Sequence, residues 1–206
     1  MSDIRIERLT TTGTMRIGFE IENNVWLVGN DDEVIVIDAA HDAAAIALAV
    51  GERQVHGILL THGHEDHVNA AVELAQRIDA QLFLHPADLF LWNDVHNPSP
   101  DVDIVEGAQF TVGDVTLTTL HTPGHTPGSV SFVAESLGVV FSGDTLFHGG
   151  PGATRWEYSS FEQIITSIQE KLFTLNPALH VLPGHGQATT LQAETEQLQQ
   201  YVDRGW

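Results

Sequence analysis

The sequence contains no cysteine in its 206 residues. Disulfides and thiolate ligands are therefore excluded, so any bound metal must be held by imidazole and carboxylate groups. Such a donor set suits zinc, iron or manganese. The same absence excludes a cysteine nucleophile, and no serine lies in a recognisable nucleophile motif. Chemistry that depends on a side-chain nucleophile is therefore not indicated.

Basic residues are scarce, with eight Lys and Arg against 28 Asp and Glu and a formal net charge of −20. No Lys or Arg lies between Arg77 and Arg155, and only Lys171 and Arg204 follow. Because nucleic-acid phosphates are bound by clusters of Lys and Arg, this composition argues against a nucleic-acid partner. We expect a small-molecule substrate instead, although acidity by itself names none.

Long hydrophobic runs are also lacking, and no stretch is long enough to span a bilayer. The N-terminal segment has no apolar run of signal-peptide length, so we expect a soluble, cytoplasmic protein without a membrane partner. Apolar residues make up 42% of the chain, which allows a core of ordinary size. No linker or low-complexity tract divides the sequence, which predicts one domain over residues 1–206. The oligomeric state is not predicted.

One stretch is rich in metal-type ligands: three histidines and two carboxylates fall between His62 and His67. It directly follows the apolar run 57–60, as in a metal-binding loop at the end of a strand. A solvated loop with incidental histidines is the weaker alternative. In an extended loop, His62 and His64 point to the same side, whereas Asp66 and His67 can turn towards a second centre.

Strand and helix patterns alternate along the chain. Hairpins are predicted at 25–28 with 34–37, at 108–112 with 115–120 and at 130–133 with 139–142. Further strands are predicted at 57–60, 81–85 and 179–182, and in the segment up to Glu22, including residues 15–17. Helices are predicted at 42–50, 69–78, from Pro86, from Phe161 and over 191–202, and a loop is predicted at 93–103. This mixture predicts two packed sheets with helices outside. Two hairpins end in an aspartate, Asp38 and Asp144, which suggests an internal duplication but is equally explained by chance.

Further candidate ligands also follow apolar strands. His125 lies after the strand ending near Leu120, Asp144 follows Phe141, and His185 follows Leu182. Loops at strand ends are where a rigid scaffold presents chemistry. Together with the four residues of the histidine stretch, these side chains give seven ligands from four loops, enough for two metal centres.

Four motifs carry a family resemblance over essentially the whole chain: Thr-His-Gly-His-Glu-Asp-His at 61–67, Thr-Pro-Gly-His-Thr-Pro-Gly-Ser at 122–129, Ser-Gly-Asp-Thr-Leu-Phe at 142–147 and Pro-Gly-His-Gly at 183–186. In this order they resemble the metallo-β-lactamase superfamily. The resemblance implies an α+β fold, a four-layer αββα sandwich of two mixed sheets with helices outside. It also implies two divalent metal ions, zinc foremost, with iron or manganese as alternatives.

The resemblance also implies roles for individual residues. One metal would be held by His62, His64 and His125, the other by Asp66, His67 and His185, with Asp144 bridging; Asp66 and Asp144 would act in catalysis, and Asp38 and His121 would support the ligands. Residues alone leave Asp38 equally open to a role as a helix cap. His41, His56, His85, His96 and His180 are interpreted as structural or solvated.

The expected activity is hydrolysis by a metal-bound hydroxide, since a metal lowers the pKa of bound water to about 7. The run 142–150 resembles the small glyoxalase II-like branch, which implies cleavage of an S-acyl thiol. A thiol with a pKa of about 8.5 leaves without a strong acid. The variant Gly-Pro-Gly-Ala-Thr-Arg at 150–155 looks more like actinobacterial relatives that use mycothiol in place of glutathione.

The substrate mouth is predicted to include His148, Arg155, Trp156 and Tyr158. Lactone hydrolysis fits the same motifs. A mononuclear iron persulfide dioxygenase is a second alternative, and it needs only Asp144 with two of the histidines.

Overall fold

The computed structural model describes residues 3–14 and 18–205, so that residues 15–17, predicted as part of a strand, lie outside the described residues. Two six-stranded mixed sheets form its centre. The first contains, in spatial order, β1 (Arg5–Thr14), β2 (Glu20–Gly29), β3 (Glu33–Ile37), β4 (Gln54–Leu59), β5 (Leu82–Leu84) and β6 (Val102–Asp103). The second contains β7 (Gln109–Val112), β8 (Val115–His121), β9 (Val130–Ala134), β10 (Val139–Gly143), β13 (His180–Pro183) and β14 (Thr189–Thr190), while β11 (Leu146–Phe147) pairs with β12 (Gly150–Pro151).

Helices cover the outer faces of both sheets. They are α1 (Ala43–Val50), α2 (Glu65–Val68), α3 (Ala71–Ile78), α4 (Leu89–Val95), α5 (Phe161–Ser167), α6 (Leu191–Thr195) and α7 (Leu198–Arg204), with 3₁₀ turns at Pro86–Asp88 and Glu135–Leu137 and a π turn at Ile168–Leu172. None of the helices in the described ranges has both the length and the apolar character that a bilayer crossing requires.

Successive side chains of a strand point to opposite faces of its sheet, so the core has three layers: one between the sheets and one under the helices on each outer side. Val25 and Leu27 of β2 pack with the helices outside the first sheet, whereas Trp26 faces the second sheet. In the second sheet, Phe132 packs between the sheets and its neighbour Val133 packs outwards with α5. Because both faces of β2 and β3 are buried where they cross the core, the stretches 25–28 and 34–37 are continuous apolar runs. The predicted α+β αββα sandwich is confirmed.

Strand pairing places the ligand loops at one edge of the sandwich. Antiparallel hairpins β2–β3 and β9–β10 confirm two of the predicted hairpins, and β7–β8 confirms the third. Each of the first two is followed by a parallel neighbour, β4 beside β3 and β13 beside β10. Parallel strands end at the same edge of a sheet. The histidine stretch, the Asp144 loop and the His185 loop therefore emerge there together.

Three predicted boundaries are wrong. The predicted loop at 93–103 instead begins inside α4, because buried Trp92 anchors that helix and its Nε1 donates to Pro98 O at 2.7 Å. The same stretch ends in β6, which pairs with β5. The closing helix expected over 191–202 is divided into α6 and α7, whereas the helix expected at 69–78 is confirmed as α3 and is preceded by the separate turn α2.

Candidate metal centre

Three imidazoles from two loops form a first cluster. His62 and His64 lie in the loop after β4, and His125 lies in the loop after β8. His64 Nδ1 is 3.1 Å from His62 Nε2 and 2.9 Å from His125 Nε2. Burial, with the nearby His125, lowers the pKa of His64 to about 3. Burial also lowers the pKa of the other two, so all three rings are neutral at pH 7.

A carboxylate and two imidazoles form a second cluster beside the first. His67 Nε2 and His185 Nε2 are 3.1 Å apart, and Asp66 Oδ2 lies 3.2 Å from His185 Nε2. Asp66 and His67 both belong to the single turn of α2, so this short helix presents two donors to one centre. Asp66 and His67 therefore face a second centre, as predicted, but a helical turn rather than an extended loop directs them there.

Asp144 lies between the two clusters. Its Oδ1 is 3.3 Å from His67 Nε2, and its Oδ2 is 3.6 Å from His125 Nε2. Burial alone would raise the pKa of Asp144, but His185 and His67 hold it well below its usual range. Among the described residues, Oδ1 of this buried carboxylate has no hydrogen-bond partner. Such an orphaned acceptor requires a cation or another donor.

The outward-facing nitrogen of every imidazole in the two clusters has a hydrogen-bond partner. These contacts join His62 Nδ1 to Thr61 Oγ1 (3.1 Å), His64 Nε2 to Tyr158 Oη (2.9 Å), His67 Nδ1 to Asp38 Oδ2 (2.9 Å), His125 Nδ1 to Ala153 O (2.7 Å) and His185 Nδ1 to Glu22 O (2.7 Å). An outward N–H leaves the inward nitrogen of a neutral ring as a lone pair. Within each cluster the donor atoms lie within 4.8 Å of one another. The donor set thus fits a divalent metal.

Asp38 supports the histidine stretch from beneath. This buried carboxylate accepts hydrogen bonds from Thr61 N at 2.8 Å and Thr61 Oγ1 at 2.9 Å, and from His67 Nδ1. Its φ of 62° lies in the left-handed region, which is costly for a residue with a Cβ. Asp38 therefore adopts a strained backbone at the end of β3 and holds a ring of the second cluster; it does not cap α1, whose cap is Asp42.

Asp88 is a supporting residue that the sequence did not reveal. Fully buried at the end of a 3₁₀ turn, it accepts hydrogen bonds from Gly63 N at 2.8 Å, Gly128 N at 2.6 Å and Thr126 Oγ1 at 2.7 Å. A Cβ at Gly128 would lie 2.6 Å from the Asp88 carboxyl carbon, so only glycine permits this approach. Asp88 thereby joins the two loops that carry the first cluster.

A second unanticipated support runs through Asn23. Its Nδ2 donates to Asp66 Oδ2 at 3.1 Å, and its Oδ1 accepts from His41 Nε2 at 2.8 Å. His41 Nδ1 in turn accepts from Asn69 Nδ2 at 3.0 Å. Burial lowers the pKa of His41, which suits a neutral ring that donates on one side and accepts on the other. His41, interpreted from sequence as structural, thus orients a candidate ligand through Asn23.

An open cavity of about 420 Å³ lies over the two clusters. Phe19, Ile21, Phe147 and Trp156 supply apolar walls, and Arg155 lies at its rim. The Arg155 guanidinium lies over the Trp156 ring, 4.9 Å from its centroid. The structure therefore brings Arg155 and Trp156, two of the four predicted mouth residues, to this cavity.

The remaining predicted residues lie elsewhere. Tyr158 rests against His64 and stacks on Trp156, so it supports a candidate ligand. His148 turns towards Glu194, with 56% of its side chain exposed, and is not among the described residues that line the cavity. The His121 ring stacks on His85, and its Nε2 donates to Pro127 O at 2.9 Å. It therefore contacts the loop of His125 rather than a cluster.

Comparison with known proteins decides the family. The family model described as the metallo-beta-lactamase superfamily matches residues 19–185. This chain belongs to that superfamily. The cluster of His and Asp donors agrees with the metal dependence of that superfamily, and the resemblance seen in the sequence motifs is confirmed.

Three similar proteins illustrate the range within the superfamily. Hydroxyacylglutathione hydrolase GloC of Haemophilus influenzae is 32% identical over 190 residues, covering 84% of this chain and 90% of that protein. The BLEG-1 B3 metallo-beta-lactamase superposes with a TM-score of 0.79 at 28% identity, covering 93% and 97% of the two chains. TTHA1623, solved in a di-iron-bound form, superposes with a TM-score of 0.76 at 30% identity, covering 91% and 96%.

Proposed function

We propose that this protein is a metal-dependent thioesterase that hydrolyses an S-acyl thiol to a carboxylic acid and a thiol. The position of Asp144 between two donor clusters carries the proposal. In it, His62, His64 and His125 hold one divalent metal, Asp66, His67 and His185 hold a second, and Asp144 contacts both. Zinc is the first candidate, with iron and manganese as alternatives, because all three accept imidazole and carboxylate donors.

Bound metals would supply a water whose pKa is about 7 and an electrophile for the substrate carbonyl. The chain's own residues position these groups. Asn23 fixes the orientation of Asp66, and Asp38 fixes that of His67. Phe147 and Trp156 supply apolar walls to the approach to the clusters. A rigid, preoriented ligand set of this kind lowers the reorganisation that a reaction requires.

The leaving group favours a thioester. A thiolate with a pKa of about 8.5 departs at neutral pH without a strong general acid. Lactones and β-lactams release an alkoxide or an amine, which makes a greater demand on proton donation. The relationship to a protein named hydroxyacylglutathione hydrolase also supports a thioester. We propose a small-molecule thioester in the cytoplasm as the partner, rather than nucleic acid or a membrane.

A substrate panel tests the proposal. Protein loaded separately with zinc, iron or manganese would be assayed on an S-acyl thiol, an acyl-homoserine lactone and a β-lactam, and for oxygen uptake with a thiol persulfide. We expect kcat/KM for the thioester to exceed that for the other hydrolytic substrates by at least about tenfold, a difference of roughly 1.4 kcal/mol in barrier. Lactone opening without thioester cleavage would replace the proposal. Oxygen uptake by protein holding one iron per chain would exclude hydrolysis as the main activity.

A further inference from the structure

The two chain neighbours of Asp144 contact two different ligand loops. Gly143 has a φ of 50°, and a Cβ there would lie 2.6 Å from the Cβ of Thr61, so only glycine permits this approach. Thr61 opens the ligand loop that follows β4. On the other side, Thr145 is fully buried and contacts the loop that carries His125. The backbone on both sides of the central carboxylate is therefore packed against the loops of the first cluster.

The hydroxyl of Thr145 makes the contact with the His125 loop. Its Oγ1 lies 2.9 Å from Thr122 Oγ1 and 3.4 Å from Thr122 O. Thr122 Oγ1 in turn lies 3.1 Å from Ser131 Oγ on β9, and all three side chains are fully buried. Because a hydroxyl both donates and accepts, the three groups form one continuous chain of hydrogen bonds. This chain joins the residue after Asp144 to the start of the His125 loop.

The backbone of Thr145 is fixed as well. Its N–H donates to Ser142 O at 3.0 Å, and its carbonyl accepts from Gly152 N at 3.3 Å. Gly152 adjoins Ala153, whose carbonyl is the partner of His125 Nδ1 at 2.7 Å. The hydroxyl and the carbonyl of Thr145 thus lead by separate routes to segments that hold His125.

A second buried threonine shows what burial without such a contact looks like. Thr119 on β8 is also fully buried, but its Oγ1 has no hydrogen-bond partner among the described residues. Thr119 and Thr145 therefore share residue type and burial, and they differ in whether the hydroxyl joins two loops. A buried hydroxyl without a partner is unfavourable, so its removal from Thr119 should cost nothing.

We propose that Thr145 is a positioning residue that holds Asp144 against the first cluster, so that its carboxylate contacts both metals at once. The inference rests on the two-metal site of the proposed function. Asp144 Oδ2 is 3.4 Å from His185 Nε2 and 3.6 Å from His125 Nε2, so the carboxylate lies slightly closer to the second cluster. Without the Thr145 hydroxyl, Asp144 would stay with the second metal, and the first would keep its imidazoles alone.

Replacing Thr145 with valine tests the inference, because valine keeps the branched shape and removes the hydroxyl. Chelator competition with zinc should show one of two metal equivalents weakened about tenfold in T145V, as for other residues that orient ligands. T145S retains the hydroxyl and should restore wild-type affinity for both equivalents. T119V, the matched control, should also bind both like wild type.

Manganese supplies a readout that a general loss of stability would not move. Two Mn²⁺ ions that share a bridging carboxylate are magnetically coupled, whereas separate ions give the hyperfine EPR pattern of isolated Mn²⁺. We expect coupled spectra from wild type, T119V and T145S. In T145V the coupling should weaken and the isolated-ion pattern should grow.

These measurements separate the role of Thr145 from the function on which it rests. Wild-type protein that binds a single metal would contradict the two-metal site and the inference with it. Two coupled metals in wild type, with the same affinities and spectrum in T145V, would overturn the role of Thr145 and leave the proposed function standing. Thermal unfolding of each variant checks that the fold is retained. Should T145V fail to fold, T122V removes the other hydroxyl of the pair and is judged by the same two outcomes.

Discussion

Replacing Asp88 with asparagine tests whether this residue holds the first cluster together. The carboxylate accepts three hydrogen bonds, two of them from the backbone of glycines in separate ligand loops. Asparagine has one acceptor oxygen, so its NH₂ group would face at least one of these donors. One buried N–H would then lose its partner.

The loss of folding stability expected in D88N is the difference between two opposing effects. Leaving a buried N–H unsatisfied costs about 1–3 kcal/mol, and charged hydrogen bonds contribute about 1.5–3 kcal/mol each. Burial raises the pKa of Asp88, so removing its charge recovers part of that loss. A net destabilisation of about 2 kcal/mol corresponds to a fall in Tm of roughly 4–8 °C for a chain of this length. Metal affinity should fall about 10–100-fold, as for other residues that orient ligands.

The expected loss is confined to one centre. Asp88 binds Gly63, between His62 and His64, and Gly128, close to His125. Chelator competition should therefore show one metal equivalent weakened in D88N while the other, held by the second cluster, keeps its wild-type affinity. D114N, at an exposed turn between β7 and β8, is the matched control. If D88N bound both equivalents like wild type, the role assigned to Asp88 would be wrong.

Three further predictions concern the supports of the site. D38N should weaken metal binding about 10–100-fold in chelator competition, because His67 loses its carboxylate partner; wild-type affinity would contradict this. Y158F removes the hydroxyl partner of His64 Nε2, so metal affinity should fall about tenfold while the ratio of kcat/KM between thioester and lactone is unchanged, and a changed ratio would instead indicate a substrate contact. Burial lowers the pKa of His185, but Asp144 and Asp66 outweigh it and raise the pKa to about 10 from 6.5 in the metal-free protein. The stability that this proton contributes is complete below pH 6.5 and is lost as pH rises through 10, and metal binding must displace the proton. Calorimetry at pH 7 in buffers of different ionisation enthalpy should show at least one proton released per chain, and none released would refute the assignment.

The layered fold was predictable because its signals are local and periodic. The three hairpins could be located from runs of apolar residues separated by turn residues. Helix boundaries were less predictable, since they depend on tertiary contacts. Buried Trp92 carries α4 into the stretch predicted as a loop, because its indole N–H finds Pro98 O across that segment. Nothing in the polar, proline-containing sequence there indicates this contact.

The clustering of metal-type donors was predictable from their density and their position after strands. The residues that hydrogen-bond to the ligands or to their loops were not predictable, because they are polar residues of ordinary type that lie far from the ligands in sequence. Asp88 reads as one more acidic residue in a chain rich in them, and only the approach of Gly63 and Gly128 reveals its role. The position of His148 close after Asp144 in the sequence led to its prediction as a substrate contact, but the loop turns its side chain towards Glu194 instead.

Metal stoichiometry tests the central claim most directly. Purified protein titrated with zinc and analysed for bound metal after gel filtration should hold two equivalents per chain. H185A, which removes a donor of the second cluster, should hold one. H180A, which changes an exposed histidine of β13, the strand that precedes His185, should hold two. One equivalent per chain in the wild type, unchanged in H185A, would contradict a site built from two clusters around Asp144.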